Sequence, residues 1–151
     1  MDKLLNEINQ QLTDQGLYIK SGGVSIIDAS VIEAQQCRPN KGKDGQPTQD
    51  PEADWNVKTG SDGKRKSTYG YKAHMNVDED GLIKSTDFTP GNVHDANCFT
   101  GLLDGDESAA YADSAYASEK HAKWLKKRKI ENRVIKRAYR NKPLTKQDKQ
   151  F

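Results

Sequence analysis

Two aspartates stand at the ends of short apolar runs, Asp28 in "VSIIDAS" and Asp113 in "SAAYADSAY". Carboxylates at the carboxyl ends of parallel strands lie outside the sheet, where ligands can reach them. Unpaired carboxylates held close together repel, and a divalent cation between them turns that repulsion into binding. Magnesium suits the role because it prefers hard oxygen ligands and keeps waters for substrate phosphates. Two such ions about 3.5 to 4 Å apart can activate a nucleophile and stabilise the leaving oxygen of a phosphodiester. The spacing leaves a plainer reading open, in which each aspartate caps the turn or helix after it.

Several elements must position these residues. "DKLLNEINQQLTDQG" places Leu4, Leu5, Ile8 and Leu12 on one helical face, with Gly16 as a stop. "VSIIDAS" reads as a buried strand running into Asp28. From Cys37 to about Ser67 the chain is polar and punctuated, and reads as a long loop. In "YGYKAHMNV", Tyr69, Tyr71, Ala73, Met75 and Val77 alternate with Gly70, Lys72, His74 and Asn76, which marks a half-buried strand with His74 on its polar side. "DEDG" is a turn before a second strand ended by Pro90. A helix is expected from about Val93 to Leu103, then a short strand into Asp113, a helix from about Ser118 to Arg128 carrying His121 on its surface, and a last strand in "NRVIKRA". The order predicts a mixed α/β fold.

Composition narrows the function classes. With 33% hydrophobic residues in 151 the chain can form one domain but is poor in core material. No run approaches the ~20 apolar residues of a membrane helix, and the N-terminus lacks a signal pattern, so no membrane partner and a cytoplasmic location are expected. Cys37 and Cys98 are far apart and read as reduced thiols. The glycines of "GKDG" and "SDGK" lack phosphate-loop spacing and read as turns. The net charge of +2 hides a segregation: residues 1–119 hold 11 basic against 20 acidic side chains, whereas residues 120–151 hold 13 against 2. A solvated basic helix and tail explains that run, as does a polyanion-binding end in which Lys123, Lys126, Lys127, Arg128, Arg133, Lys136 and Arg137 track a phosphate backbone.

"IIDASVIEA", "YGYKAHMNVDEDGLI", "TPGNVHDA" and "YADSAY", in this order and spacing, resemble the DDE transposases of bacterial insertion sequences, in the group joined under the names four and five. The similarity runs from about Leu4 to Arg137. It implies an RNase H-like fold, a mixed sheet flanked by helices and incomplete at the C-terminus, in which two aspartates and a glutamate hold two magnesium ions for DNA strand cleavage and strand transfer; manganese can substitute. Asp28 matches the first aspartate and Asp113 the second. Asn92, His94 and Asp95 match a signature at the site edge. "DPEADWNVKTG", with Trp55 and Lys58, resembles a segment near the site or DNA, and Lys72 joins the DNA-binding candidates. The partners implied are transposon ends and target DNA, with a homodimer in the DNA complex.

The third carboxylate departs from the family pattern. Glu119 and Glu131 come too early after Asp113, and Asp148, 35 residues beyond it, sits in the polar context "LTKQDKQF" rather than on a rigid helix. The expected organisation is an amphipathic helix over 1–20, a partial catalytic domain over 21–137 with a polar loop at 37–67, and a basic polar tail over 138–151. The resemblance implies a copy truncated before the glutamate-bearing helix. A remnant that binds DNA or a partner without chemistry, and an RNase H-like nuclease outside transposition, are the alternatives.

Overall fold

A computed structural model describes residues 2–17, 22–35, 40–60, 62–138 and 143–145. Cys37, Asp148 and most of the 138–151 tail lie outside the described residues. The elements run α1 (Asp2–Asp14), β1 (Val24–Glu33), β2 (Asp54–Thr59), β3 (Arg65–Val77), β4 (Ile83–Pro90), β5 (Ala109–Ala112), α2 (Glu119–Arg128) and β6 (Glu131–Val134). The strands hydrogen-bond in the order β2-β3-β1-β5-β6, with β4 also on β3. β1 with β5 and β5 with β6 are parallel, whereas β2 with β3 is antiparallel. This mixed α/β sheet with two helices is consistent with the RNase H-like fold. The chain divides into two compact units, residues 1–28, 75–86 and 95–151 in one and residues 29–74 and 87–94 in the other.

In the first unit, β5 reads Ala-Ala-Tyr-Ala, a poor strand sequence by propensity, and owes its conformation to the parallel neighbours on both sides. Its alanines are buried, as are Ile27, Phe99, Leu102, Leu125 and Val134. Helix α2 starts where expected because Ser118 caps it, its hydroxyl accepting from the His121 amide at 3.0 Å. The β3–β4 turn is closed by the buried Asp78, whose Oδ1 accepts from the amides of Asp80 and Leu82 at 3.0 and 2.8 Å. Helix α1 forms as expected, but Leu5, Asn9 and Leu12 are its half-buried side and Leu4 and Ile8 stay exposed. Asn9 Nδ2 donates to the Ile83 carbonyl at 3.1 Å.

Three expectations are corrected. The polar stretch 37–67 is not one loop: it holds β2 and the first residues of β3, joined across Gly60–Lys64 by an amide-to-carbonyl bond of 2.9 Å. The segment 93–103 is not a helix and forms only a 3-10 turn at Asp95–Asn97, since Asn97, Thr100 and Gly101 are weak helix formers and Phe99, Leu102 and Leu103 are buried from irregular backbone. The faces of β3 are also not as the alternation suggests. Lys72, His74 and Asn76 are 7%, 0% and 0% exposed, while Tyr71, Met75 and Val77 are half-buried.

That buried polar row is stable because the chain supplies partners for it. Lys72 Nζ donates to the Val93 carbonyl at 2.7 Å, and His74 Nε2 lies 2.8 Å from Thr89 Oγ1. Asn76 Nδ2 donates to the Leu102 carbonyl at 2.8 Å. In the first unit, Asn76→Ala should destabilise the fold by about 1–3 kcal/mol, because it strips a buried carbonyl of a donor. Chemical denaturation measures this, and an unchanged midpoint would show that Ser85, whose hydroxyl also donates to Leu102 at 2.7 Å, is sufficient alone.

Candidate functional site

Parallel register brings Asp28 and Asp113 together. Val24, Ser25, Ile26 and Ile27 of β1 stand opposite Ala109, Ala110, Tyr111 and Ala112 of β5, so the next residue on each chain is an aspartate. Neighbouring strands lie about 4.8 Å apart. Alternation puts Asp28 on the face of Ile26 and Asp113 on the face of Tyr111, which are themselves register partners and 41% and 40% exposed. Both aspartates are exposed. Two aspartates thus follow paired residues at the carboxyl edge of adjacent parallel strands, both exposed. Asp28 is not at a strand end, since β1 continues to Glu33; it is the first residue beyond the parallel ladder.

The capping alternative holds for Asp113 and not for Asp28. Asp113 caps the 3-10 turn Ser114–Tyr116, its Oδ1 accepting from the Ala115 amide at 2.8 Å. One carboxylate oxygen is engaged by that cap, which fixes the direction of the other.

Tyr116, which the sequence reading did not single out, belongs to the same neighbourhood. Its ring is 1% exposed and packs against Phe99 with centroids 5.7 Å apart. Burial, then the charges of Asp95, Asp28 and Asp113, push its phenol far above the ordinary tyrosine range. The signal available in the sequence was its place three residues after Asp113 in "YADSAY". His121 is not a surface residue: it is buried, stacked on Phe99 at 4.6 Å, with Nδ1 2.8 Å from the Tyr116 carbonyl. It buttresses the turn that carries Tyr116.

Among the described residues, no third carboxylate or imidazole closes a ligand-distance group with Asp28 and Asp113; the one such group is Asp104, Asp106 and Glu107. That cluster precedes β5, beside the amino ends of β1 and β5, the opposite edge from the paired aspartates. Glu107 is buried there and already accepts from the amides of Asp104 and Gly105, both at 2.8 Å. It braces its own loop. Glu119 pairs with Lys123 and Glu131 with Arg133, each at 2.6 Å.

The other candidates divide between the units. Asp95 opens its 3-10 turn in the first unit, half-buried. Asn92 and His94 are exposed and belong to the second, where Asn92 Nδ2 donates to Asp54 Oδ2 at 2.7 Å. Trp55, on β2, is part exposed and packs its ring on Tyr69 at 5.3 Å. Lys58 stands directly opposite Lys66 on β3, both exposed. Lys72 has no comparable exposure; buried on the Val93 carbonyl, it fastens a segment rather than facing solvent. In the first unit, Lys126, Lys127, Lys136 and Arg137 are exposed, and Arg128 lies over the Trp124 ring at 3.9 Å. Among the described residues no helix is long and apolar enough to cross a membrane.

Comparison with known proteins meets this geometry. The family model described as "Transposase DDE domain" matches residues 20–151. The "Transposase for insertion sequence element IS1106" of Neisseria meningitidis serogroup B is 29% identical over 157 aligned positions, covering 96% of this chain and 53% of that relative. The chain therefore spans about half the length of this curated relative. No solved structure matches. The family match covers nearly all of the chain, and the chain belongs to the transposase DDE domain family.

Proposed function

We propose that this chain carries the two-aspartate part of a metal-dependent centre for DNA strand cleavage and strand transfer. The observation that carries the reading is the β1–β5 register, which supports Asp28 and Asp113 as side-by-side oxygen donors. The donor set fits a hard divalent cation, magnesium or manganese, better than a soft one, since both groups are carboxylates without an imidazole or thiolate. When bound, such an ion supplies Lewis-acid stabilisation of a phosphodiester and lowers the pKa of an attacking water. The chain's own residues supply charge and orientation: Asp113 through its cap on Ala115, Asp28 through the strand on either side of it. Asp95, in the same unit as the two aspartates, is proposed at the edge of the centre.

DNA binding is proposed along two basic features, one in each unit. On the β2–β3 hairpin, Lys58 faces Lys66, with Lys64 and Arg65 at the tip. Like charges directly opposite on a sheet are unfavourable, and a phosphate between them would relieve the repulsion. In the other unit the last turn of α2 carries Lys126, Lys127 and Arg128, a favourable position for cations at a helix C-terminus. Lys123, Arg133, Lys136 and Arg137 extend the same basic end, and Trp55 offers an aromatic face. A homodimer on DNA is part of this reading.

Affinity for duplex DNA should then fall steeply with salt, by about 0.9 log units per log unit of salt for each phosphate contacted. Replacing Lys58 and Lys66 by Gln should flatten the slope by about 1–2 in a fluorescence-anisotropy titration. An affinity that does not move between low and moderate salt would sink the DNA surface. Salt-sensitive binding without metal-dependent cleavage would favour the non-catalytic remnant.

A further inference from the structure

The outer part of the β2–β3 hairpin buries nothing. Its last three register pairs are Val57 with Ser67, Lys58 with Lys66 and Thr59 with Arg65, and every described residue from Val57 to Ser67 is exposed, on both faces of the ribbon. A two-stranded ribbon without cover is marginal in water. This one is nevertheless held in shape at both ends. At its base Trp55 packs on Tyr69, whose hydroxyl donates to the Asp50 carbonyl at 2.8 Å. At its tip the Gly60 amide donates to the Lys64 carbonyl at 2.9 Å, the Gly63 amide donates to the Gly60 carbonyl at 3.0 Å, and Asp62 Oδ1 accepts from the Lys64 amide at 3.0 Å.

The two faces of the ribbon differ chemically. Cross-strand partners share a face, so Lys58 and Lys66 stand together on one side and Val57, Thr59, Arg65 and Ser67 on the other. The stretch 57–67 holds four cations, Lys58, Lys64, Arg65 and Lys66, against the single carboxylate of Asp62, which is engaged in the turn. Such a ribbon suits a polyanion with a groove. Three residue pairs and a turn project about 10 Å, and the major groove of duplex DNA, about 12 Å wide and 8.5 Å deep, admits a two-stranded ribbon. The minor groove, about 6 Å wide, is little broader than the ~4.8 Å between two strands before any side chain is counted.

We propose that the β2–β3 ribbon reads duplex DNA in the major groove, with Arg65 as its specificity-determining residue. This rests on the DNA-binding reading given above and names the groove and the reader. The planar fork of Arg65 matches the O6 and N7 acceptors of guanine, and Thr59 opposite it offers a hydroxyl to a base edge and a methyl to thymine. Lys58 and Lys66, on the other face, reach phosphates of the groove wall on long flexible stems and position the ribbon without reading sequence.

The test is selection of binding sites by the whole chain from a randomised duplex library, followed by dimethyl sulfate interference on the selected duplex. That reagent marks guanine N7 in the major groove and adenine N3 in the minor groove; the first modification should block binding and the second should not. Arg65→Ala should weaken binding to the selected duplex about 5- to 100-fold, while its binding to random duplex falls no further than that of Lys64→Ala, which removes an equal charge one residue away. Both positions are exposed, so the melting temperature should hold in each variant. Salt-sensitive duplex binding with no preferred sequence, with an equal cost of Arg65→Ala on every sequence, or with interference at adenine N3 instead of guanine N7 overturns the groove reading alone. No salt-sensitive duplex binding by the parent chain overturns the DNA surface and this inference together.

Discussion

If the chain cleaves transposon-end DNA as proposed, Asp28→Asn or Asp113→Asn should reduce that manganese-dependent cleavage by at least about 10²–10³-fold, since each removes an anionic ligand from a site whose work is electrostatic. Asparagine is the informative replacement. At Asp113 the amide carbonyl can still accept from Ala115, so the cap on the 3-10 turn survives and the loss is one of charge. At Asp28 the side chain is exposed on its strand, and an isosteric amide leaves β1 in register with β5. Both variants should therefore melt within a few degrees of the parent. A gel assay of end cleavage, paired with thermal denaturation, separates the outcomes. Cleavage at parental rates in either folded variant would remove that aspartate from the centre. Glu107→Gln is the control at the other acidic cluster: it should lower stability, because two loop amides lose a charged acceptor, without a comparable effect on the metal dependence of cleavage.

The parts of this arrangement legible in the sequence are those fixed by local chemistry. "IIDAS" and "YADSAY" announce strands that lead into aspartates, although β1 runs on past Asp28 to Glu33, and Ser118 with Glu119 announces the start of α2. The common register of the two strands is a tertiary fact, set by the burial of Ile27 against Ala112 and Ser25 against Ala110. What the sequence concealed had long-range causes. Alternation in "YGYKAHMNV" reveals two faces but not which is covered, and the face holding Lys72, His74 and Asn76 is buried because Val93, Thr89 and Leu102 return to meet it. β2 was hidden by its composition, "DWNVKT" being polar and set among turn residues. The glycines at positions 60 and 63, between it and "RKSTYGY", are the hairpin signal that could have found it. Tyr116 looked like one tyrosine among six, and only its burial and its acidic surroundings set it apart.

Gly70→Ala should be among the most destabilising single substitutions in the second unit, at about 3–5 kcal/mol. Gly70 lies in β3 where three backbones converge. It is the register partner of Asp54 on β2, and its carbonyl accepts from the Gly91 amide at 2.9 Å. Beside it, the Ala34 amide donates to the Tyr69 carbonyl, also at 2.9 Å. A Cβ at Gly70 would collide with the Ile32 carbonyl oxygen and come within 2.9 Å of the Ala34 nitrogen and 3.1 Å of the Glu33 Cα. All three are backbone atoms, so no rotamer change can make room, and the end of β1 must move away from β3. The small cluster of Ala34, Ala53 and Tyr69, with Tyr71 against it, would open with that movement. Gly91→Ala should behave similarly, its added carbon meeting the Asp54 carbonyl. Gly63→Ala is the control: its φ of 75° imposes strain, but nothing lies within 4 Å of the new carbon, so its cost should stay near 1–2 kcal/mol. Denaturant titration ranks the three, and hydrogen exchange locates the loss, with amides of residues 65–74 losing protection in Gly70→Ala. If Gly70→Ala proves no more costly than Gly63→Ala, the close approach of β1 and β3 at Gly70 is not a feature of the folded protein.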